Sequence, residues 1–311
     1  MQTKKPFIRV AIVGGLVSLL GVGAEASVIS YTGQTYTQNF DSLPTTQLDV
    51  NDANAVTITN PVTGTPTKYT FASGTNKVFD FANAIDSSGT TAGSTGGLGL
   101  RTTMSGWYGG AATAIKFGAG SGNIGAAGIN SYGQFISGSF SANRALGMVT
   151  SASGGAFYIG AAFVNDTGND ITSFDLSFTG EMWRQGKTSP TSALRCGYTV
   201  DNSNSLTLIT AATSGSYTEV ESFTFPAVSS TVSVNGTDPA NQVVVDLTSQ
   251  NLATAWQPGK LLWLTWQLTN VSGNNHGLAI DNLTFVAPEP ATGSLLVFGA
   301  MAMLTRRRRQ L

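Results

Sequence analysis

The amino-acid sequence predicts an all-β protein: an antiparallel β-sandwich of jelly-roll type, followed by a short hydrophobic helix at the C-terminus. Three observations carry this expectation. Apolar and polar residues alternate at period two through much of the second half of the chain. Gly, Asn, Ser and Pro interrupt these runs roughly every 10 to 15 residues, a spacing of short strands joined by turns. Between residues 27 and 287 no stretch carries a convincing helical period.

The first 26 residues have the three parts of a secretory signal. Lys4, Lys5 and Arg9 form the positive end, Val10 to Val22 is apolar, and Ala24-Glu25-Ala26 fits the small-x-small cleavage rule, so the mature chain is expected to begin at Ser27. An uncleaved N-terminal anchor is the competing reading, for which the apolar run is short. Residues 27–287 are then expected to form one domain, large enough for a single β-sandwich core.

Within that body, the Gly-rich region Ser87 to Gly160 is punctuated by Trp107, Tyr108, Phe117, Tyr132, Phe135 and Phe140, which favours short strands and ordered loops over disorder. From Ile171 to Thr179, Phe174, Leu176 and Phe178 alternate with polar residues, as in a half-buried strand. Leu206 with Leu208, Phe223 with Phe225, and Val232 with Val234 repeat the pattern, and Val243 to Leu247 reads as another strand. Leu261 to Val271 is the strongest: Leu262, Leu264, Trp266 and Leu268 point one way, Leu261, Trp263, Thr265 and Gln267 the other. In the last strand, Gly277 to Val286, Ile280 and Leu283 cannot share a face at period two, so a bulge is expected near Asp281–Asn282.

Composition narrows the function. The chain has 16 Lys+Arg and 17 Asp+Glu. The two ends hold seven of the basic and two of the acidic residues, which leaves the body acidic, with a net charge near −6. That argues against nucleic acid as a partner. Cys196 is the single cysteine, so no intramolecular disulfide forms, and it reads as a buried hydrophobe.

Catalytic motifs are weak. Gly120 to Gly125 satisfies G-x-G-x-x-G but sits among more glycines rather than between a strand and a helix. His276 is the one histidine and lies in a turn-like stretch; no G-x-S-x-G elbow exists, and a histidine-rich zinc site is excluded by count. Glu181, Glu219, Glu221 and Asp175 are candidate carboxylates for glycoside hydrolysis, but nothing in the sequence pairs them, and Glu219 with Glu221 reads as a charged strand edge. Gly180 to Gly186 gathers Glu181, Trp183 and Arg184. Glu181 is placed to bind Arg184 or the distant Arg144 while Trp183 stacks beneath, as a structural clamp or a ligand site.

The C-terminal 24 residues, 288–311, carry the most specific signal. Pro288, Glu289 and Pro290 precede an apolar run from Ala291 to Leu304, and Arg306, Arg307, Arg308 and Arg309 follow. As a helix the run measures about 22 Å, against about 30 Å of hydrocarbon. It spans by thinning the bilayer, with the arginines cytoplasmic and the body outside. This tail resembles the PEP-CTERM sorting signal of Gram-negative bacteria. The resemblance implies recognition by an exosortase, cleavage near Pro-Glu-Pro, transient inner-membrane anchoring, and delivery to the outer surface or the exopolysaccharide matrix. A plain C-terminal anchor is the alternative.

The body carries a second resemblance. Gln38 to Pro44, Gly106-Trp107-Tyr108, Arg144 to Gly147, Glu181 to Arg184 and Gly277 to Leu283 follow in an order similar to that of a group of uncharacterised surface proteins from bacteria with exosortases. Its two ends also resemble jelly-roll carbohydrate-binding modules, in which an N-F-D strand lies beside a final I-D-N-L strand. That resemblance implies a structural calcium with Asp41 and Asp281 as ligands. Asn282 and Asn275 stand where further acids are expected, which leaves the site weakly charged.

The expected function is that of an exported surface or matrix protein with a structural or adhesive role and no catalytic activity, its partners being signal peptidase and exosortase. A glycan-binding module is the first alternative, with Trp107, Tyr108, Trp183 and Trp256 as its candidate aromatic platform. A secreted hydrolase is the second.

Overall fold

The computed structural model describes residues 27–43, 56–59, 66–69, 77–83, 103–111, 117–122, 127–136, 139–150, 155–186, 192–227, 232–269 and 275–288. The expected leader (1–26), Glu289, Pro290, the apolar run that follows and Arg306 to Arg309 lie outside these residues. Among the described residues, no helix is long and apolar enough to cross a membrane.

The strands run in chain order. First come β1 (Ile29–Tyr31), β2 (Tyr36–Gln38), β3 (Val56–Thr59), β4 (Pro66–Tyr69), β5 (Lys77–Asp80), β6 (Trp107–Ala111) and β7 (Phe117–Gly120). Then follow β8 (Gly128–Tyr132), β9 (Phe135–Ile136), β10 (Ser139–Phe140), β11 (Ala145–Val149), β12 (Phe157–Asn165) and β13 (Ile171–Gln185). The last are β14 (Leu194–Asp201), β15 (Thr218–Phe223), β16 (Val232–Ser233), β17 (Gln242–Trp256), β18 (Leu261–Leu268) and β19 (Gly277–Val286), with a short α-helix, α1 (Leu208–Thr213), between β14 and β15.

Two sheets form the sandwich. The first has the order β15-β14-β18-β12-β6-β5, and β1 pairs β12 in parallel where β6 stops. The second has the order β16-β13-β19-β11-β8-β7; β17 also pairs β13, and β2 pairs β19 where β11 stops. Most pairings are antiparallel, as the sequence led one to expect; β1 on β12 and β7 on β8 are parallel. The N-terminal segment thus gives one short strand to each sheet and ties the layers together.

The inner faces meet in an aromatic core. Trp107 and Trp266 stack with centroids 5.7 Å apart, Phe178 of the opposing sheet meets Trp266 edge-on at 5.7 Å, and Phe163 meets Phe285 at 4.7 Å. Both faces of β18 are covered. Leu262, Leu264, Trp266 and Leu268 enter the main core, while Trp263 joins Tyr108, Tyr158 and α1 on the outer face. Cys196 lies in the main core, and burial pushes its thiol pKa well up, the reading the sequence favoured.

The bulge in the last strand is present: Ser177 pairs Thr284 and Thr179 pairs Asp281, so Asn282 and Leu283 oppose Phe178 alone, and Asn282 has φ +50°. That extra residue lets Ile280 and Leu283 both enter the core. The strand at Ile171 continues to Gln185, and the one at Val243 spans Gln242–Trp256. The strand expected at Leu206–Leu208 is instead the entry to α1, a correction. Thr207 caps this helix reciprocally: its Oγ1 accepts from Thr210 N–H, and its own N–H donates to Thr210 Oγ1 (2.7 Å). Leu208, Ile209, Ala211 and Ala212 all bury against the first sheet. Six residues are too few for a helical period to stand out in sequence.

Gly160 in β12 is the seat of this helix. A Cβ there would lie 2.5 Å from Leu208 Cδ1 and 2.5 Å from the Leu264 carbonyl oxygen. Gly160→Ala is therefore expected to lower unfolding stability by about 1–3 kcal/mol in denaturant titrations. A melt unchanged from wild type would show that α1 is not seated on this glycine.

Candidate functional site

The outer face of the second sheet carries the densest group of polar and aromatic side chains. In register, Glu181 pairs Ala279 and Thr179 pairs Asp281, so Glu181 and Asp281 point the same way on neighbouring strands, one row apart. β11 and β8 extend these rows: Gly147 pairs Ala279 and Asn130, and Ala145 pairs Tyr132. Small residues at Ala145, Gly147, Ala279 and Gly277 open a shallow bed in which the Tyr132 and Trp183 rings lie, centroids 6.0 Å apart and 4° from parallel. Gly236 closes the far side of Trp183; a Cβ there would be 2.4 Å from the indole.

Most polar groups in the bed are held by a neighbour. Trp183 Nε1–H donates to Glu181 Oε2 (2.8 Å), and Gln242 Nε2 donates to Glu181 Oε1 (3.0 Å). Arg144 Nε donates to Ser131 Oγ (2.9 Å), its Nη2 donates to the Ser131 carbonyl, and its backbone N–H donates to Asp41 Oδ1 (3.1 Å). Asn39 Nδ2 donates to Asp41 Oδ2 (2.7 Å). Asp281 Oδ1 accepts from Asn282 N–H (2.7 Å) and Oδ2 from the Asn282 amide (3.1 Å). Phe40, at φ +56°, turns its ring into the core against Trp107 at 4.8 Å, which leaves Asp41 at the surface facing Arg144.

Burial sets the electrostatics. It pushes the Glu181 carboxyl up to about 7, partly opposed by the Trp183 and Gln242 hydrogen bonds. It pushes Asp281 up to about 7 as well, with the Glu181 and Asp41 carboxylates adding to the effect. Burial lowers the Arg144 guanidinium to about 10 and raises the Tyr132 phenol.

The structure thus brings together Asp41, Arg144, Glu181, Trp183 and Asp281, residues that the sequence singled out separately. It corrects how they were expected to pair. Neither Arg144 nor Arg184 forms an ion pair with Glu181; Arg184 donates instead to the Gly122 carbonyl (3.2 Å). Among the described residues the one salt bridge joins Arg195 to Glu219, across the edge strand β15. Trp107 and Tyr108 belong elsewhere: Trp107 to the main core, Tyr108 to the layer beneath α1. Trp107, Tyr108, Trp183 and Trp256 are all at most 2% exposed, so they form no exposed stacking platform.

The remaining candidates are structural. His276 Nδ1 accepts from Gly186 N–H (2.9 Å) and its Nε2 lies 2.9 Å from the Phe225 carbonyl, so the backbone engages both ring nitrogens. Gly120 ends β7 and Gly128 opens the parallel β8, so the glycine motif joins two strands. Asp175 Oδ1 accepts from Ser249 N–H (2.6 Å) and shapes a bend in β17. For calcium, β2 does lie beside β19, as the resemblance implied, and the Asp41 carboxylate helps to raise the Asp281 carboxyl. Among the described residues no three acidic, histidine or cysteine side chains converge, so these two carboxylates supply only part of the six to eight oxygens calcium requires.

Tyr132, Gln242 and Asp281's partnership with Glu181 escaped the sequence. Their signal is a register across β8, β11, β19, β13 and β17, which joins segments more than 100 residues apart. A second feature also went unseen: a polar cleft of about 490 Å³ between β1 and β2, lined by Ser30, Tyr36, Thr37, Gln38, Asn39 and Ser42 among others.

No protein-family model and no curated protein matches the chain. Solved structures to which the chain is similar include the K1 cleaved adhesin domain of Lys-gingipain from Porphyromonas gingivalis W83, at 13% identity and TM-score 0.30, covering 82% of this chain and 99% of that one. A xylan-binding domain from CBM 22 matches at 12% identity and TM-score 0.29, covering 54% of this chain and 86% of that one. The enzymatically active domain of bacteriophage CBA120 tailspike protein 4 matches at 12% identity and TM-score 0.27 over 53% of this chain, but this covers only 18% of the tailspike chain. Likeness at this level says nothing of what this chain binds.

The buried carboxyl yields a signed prediction. The folded-state pKa of Glu181, about 7, lies above its ordinary value of 4.5, so the native state holds the proton more tightly. Its contribution is fully present below about pH 4.5 and is lost as pH rises to about 7, a change of about 3 kcal/mol; Asp281 acts in the same direction. Denaturant unfolding at about pH 5 and about pH 8 is expected to show the loss, and Glu181→Gln to flatten its share of the slope. A stability that rises over this interval, with the variant behaving alike, would refute the assignment.

Proposed function

We propose that the protein is an exported component of the cell surface or extracellular matrix, processed by a signal peptidase and an exosortase, whose folded body is a non-catalytic scaffold or adhesive unit. The observation that carries this reading is how the body ends. The Tyr31 hydroxyl donates to the Ala287 carbonyl (2.9 Å) and accepts from Ala287 N–H (2.7 Å), with its ring packed on Trp256 and Phe285. Ala287 is 1% exposed, whereas Pro288, the first residue of the sorting motif, is exposed. The chain leaves a locked core within one residue, between Ala287 and Pro288. A tether attached there pulls along β19, which is hydrogen-bonded to β13 on one side and to β11 and β2 on the other. Load is thereby spread over many ladder bonds in shear.

The most reactive-looking groups support the non-catalytic side of the reading. Glu181, one of the carboxylates considered for glycoside hydrolysis, and its neighbour Asp281 are 1% and 2% exposed and engaged internally. One observation favours glycan binding as a second reading: the cleft between β1 and β2 offers hydroxyls and amides beside the half-buried Tyr36 ring, a surface suited to a sugar. Calcium held by Asp41 and Asp281 would brace the same end of the sandwich.

Two outcomes are expected. Replacing Arg306 to Arg309 with Ser should leave the protein in the inner-membrane fraction with its tail uncut, whereas wild type reaches the surface or matrix with a shortened C-terminus by mass spectrometry. Wild type found intact in the cytoplasm would end the proposal. Tyr31→Phe removes a buried hydroxyl that serves two backbone groups and is expected to cost about 2–4 kcal/mol in unfolding experiments. A glycan array with calcium and with chelator, beside a chelator melt, separates scaffold from lectin: array signal favours the cleft, and a blank array with a lowered melting temperature favours a structural ion.

A further inference from the structure

The residue expected to become the mature N-terminus is held at every polar atom. Ser27 N–H donates to Asp80 Oδ2 (3.1 Å), and Ser27 Oγ lies within reach of both Asp80 oxygens (3.1 and 3.0 Å). The same Oγ accepts from Gly106 N–H (2.8 Å), and the Ser27 carbonyl accepts from the Tyr108 hydroxyl. Three residues from two neighbouring segments, Asp80 on one and Gly106 and Tyr108 on the other, therefore converge on one residue at the margin of the first sheet. Asp80 ends the edge strand β5, pairs Tyr108 across the ladder, and is fully buried. Its Oδ1 also accepts from Ala82 N–H (2.8 Å), which fixes the carboxylate in place. Beside it, Gly106, at φ +77°, allows close approach: a Cβ there would lie 2.6 Å from Ile29 Cγ1, so β1 can follow Ser27 directly onto the sheet.

We infer that Asp80 is a built receptor for a newly made α-ammonium, and that cutting the chain between Ala26 and Ser27 completes the fold at this edge. The inference rests on the export reading above. In the uncut chain, Ser27 offers Asp80 a single amide N–H. Hydrolysis adds hydroxide to the Ala26 carbonyl carbon and a proton to the Ser27 nitrogen as the peptide bond breaks. The free amine then takes a second proton from water and becomes an ammonium. A neutral hydrogen bond is thereby replaced by a charge-assisted one to a buried carboxylate, the stronger kind. The peptidase that detaches the leader thus also brings a positive charge to Asp80. Processing is then linked to stability, and the uncut precursor is the weaker fold.

The test uses the full chain, exported and processed in a Gram-negative host, against the same chain with Ser-Gly inserted directly after Ala26. Mass spectrometry first reads the N-terminus. A first residue other than Ser27 in the wild-type chain overturns the inference, and an uncut leader overturns the export reading with it. With Ser27 first, the inserted form is expected to melt roughly 3–8 °C lower. Asp80→Asn is expected to shrink this gap to about 1 °C or less, because the ammonium loses its partner. An inserted form that melts with wild type, or a gap that survives Asp80→Asn, overturns the inference. A second measurement needs no Asp80 variant. Periodate cleaves an N-terminal serine through its adjacent amine and hydroxyl, the two Ser27 groups held by Asp80. The native wild-type protein is expected to react at least tenfold more slowly than the inserted form, whose terminal serine extends past the receptor. Equal rates would overturn the assignment.

Discussion

The pairing of the first and last segments of the described body, 29–38 and 277–287, is the constraint on which the rest of the sandwich depends. β12 and β19 are the long inner strands of their sheets, and each is only partly covered by its neighbour, β6 or β11. β1 and β2 fill the two remaining gaps and remove ladder edges that would otherwise stand open. The Tyr31 hydroxyl then joins this strap to Ala287 across 256 positions of sequence. Loop closure over such a span grows only slowly with length, so a few buried hydrogen bonds and an aromatic cluster suffice to hold it.

The outer face of the second sheet follows a different logic. Burying Glu181 and Asp281 one row apart is unfavourable for their charged forms, and no cation pairs with Glu181 to offset it. Hydrogen bonds from Trp183, Gln242 and Asn282 reduce the penalty and simultaneously fix the Trp183 ring against Tyr132. The arrangement exchanges some stability near neutral pH for a single defined packing of large side chains. A conventional outer face would be solvated; here glycines and alanines leave room for rings to lie flat on the sheet and cover it.

Much of this was legible where packing obeys a local period. Leu262 to Leu268 faces the core because side chains alternate along any strand. The bulge at Asn282 was legible because Ile280 and Leu283 break that alternation, and two core residues three apart require an extra residue between them. The helix at Leu208 was not. Two leucines spaced by one residue look like a strand, and what makes the segment helical is the Thr207–Thr210 cap together with Gly160 and Trp263 beneath it, supplied by distant strands. The site was legible in its members and misread in its bonds. Glu181, Trp183, Arg144, Asp41 and Asp281 stand out by residue type, but their partners depend on a register that no short window contains.

By itself the sequence determined the fold class, the phase of the main strands, the inert cysteine, and the expectation that a leader ends at Ala26 and a sorting tail begins at Pro288. These are local matters of periodicity, composition and contiguous motif. Only the tertiary structure decided that the four candidate sugar-stacking aromatics are buried, that Glu181 pairs with Trp183 rather than an arginine, and that Ser27 meets Asp80. Each of those outcomes depends on which strands become neighbours. That is settled by the collective burial of two sheets, not by any residue's own preferences.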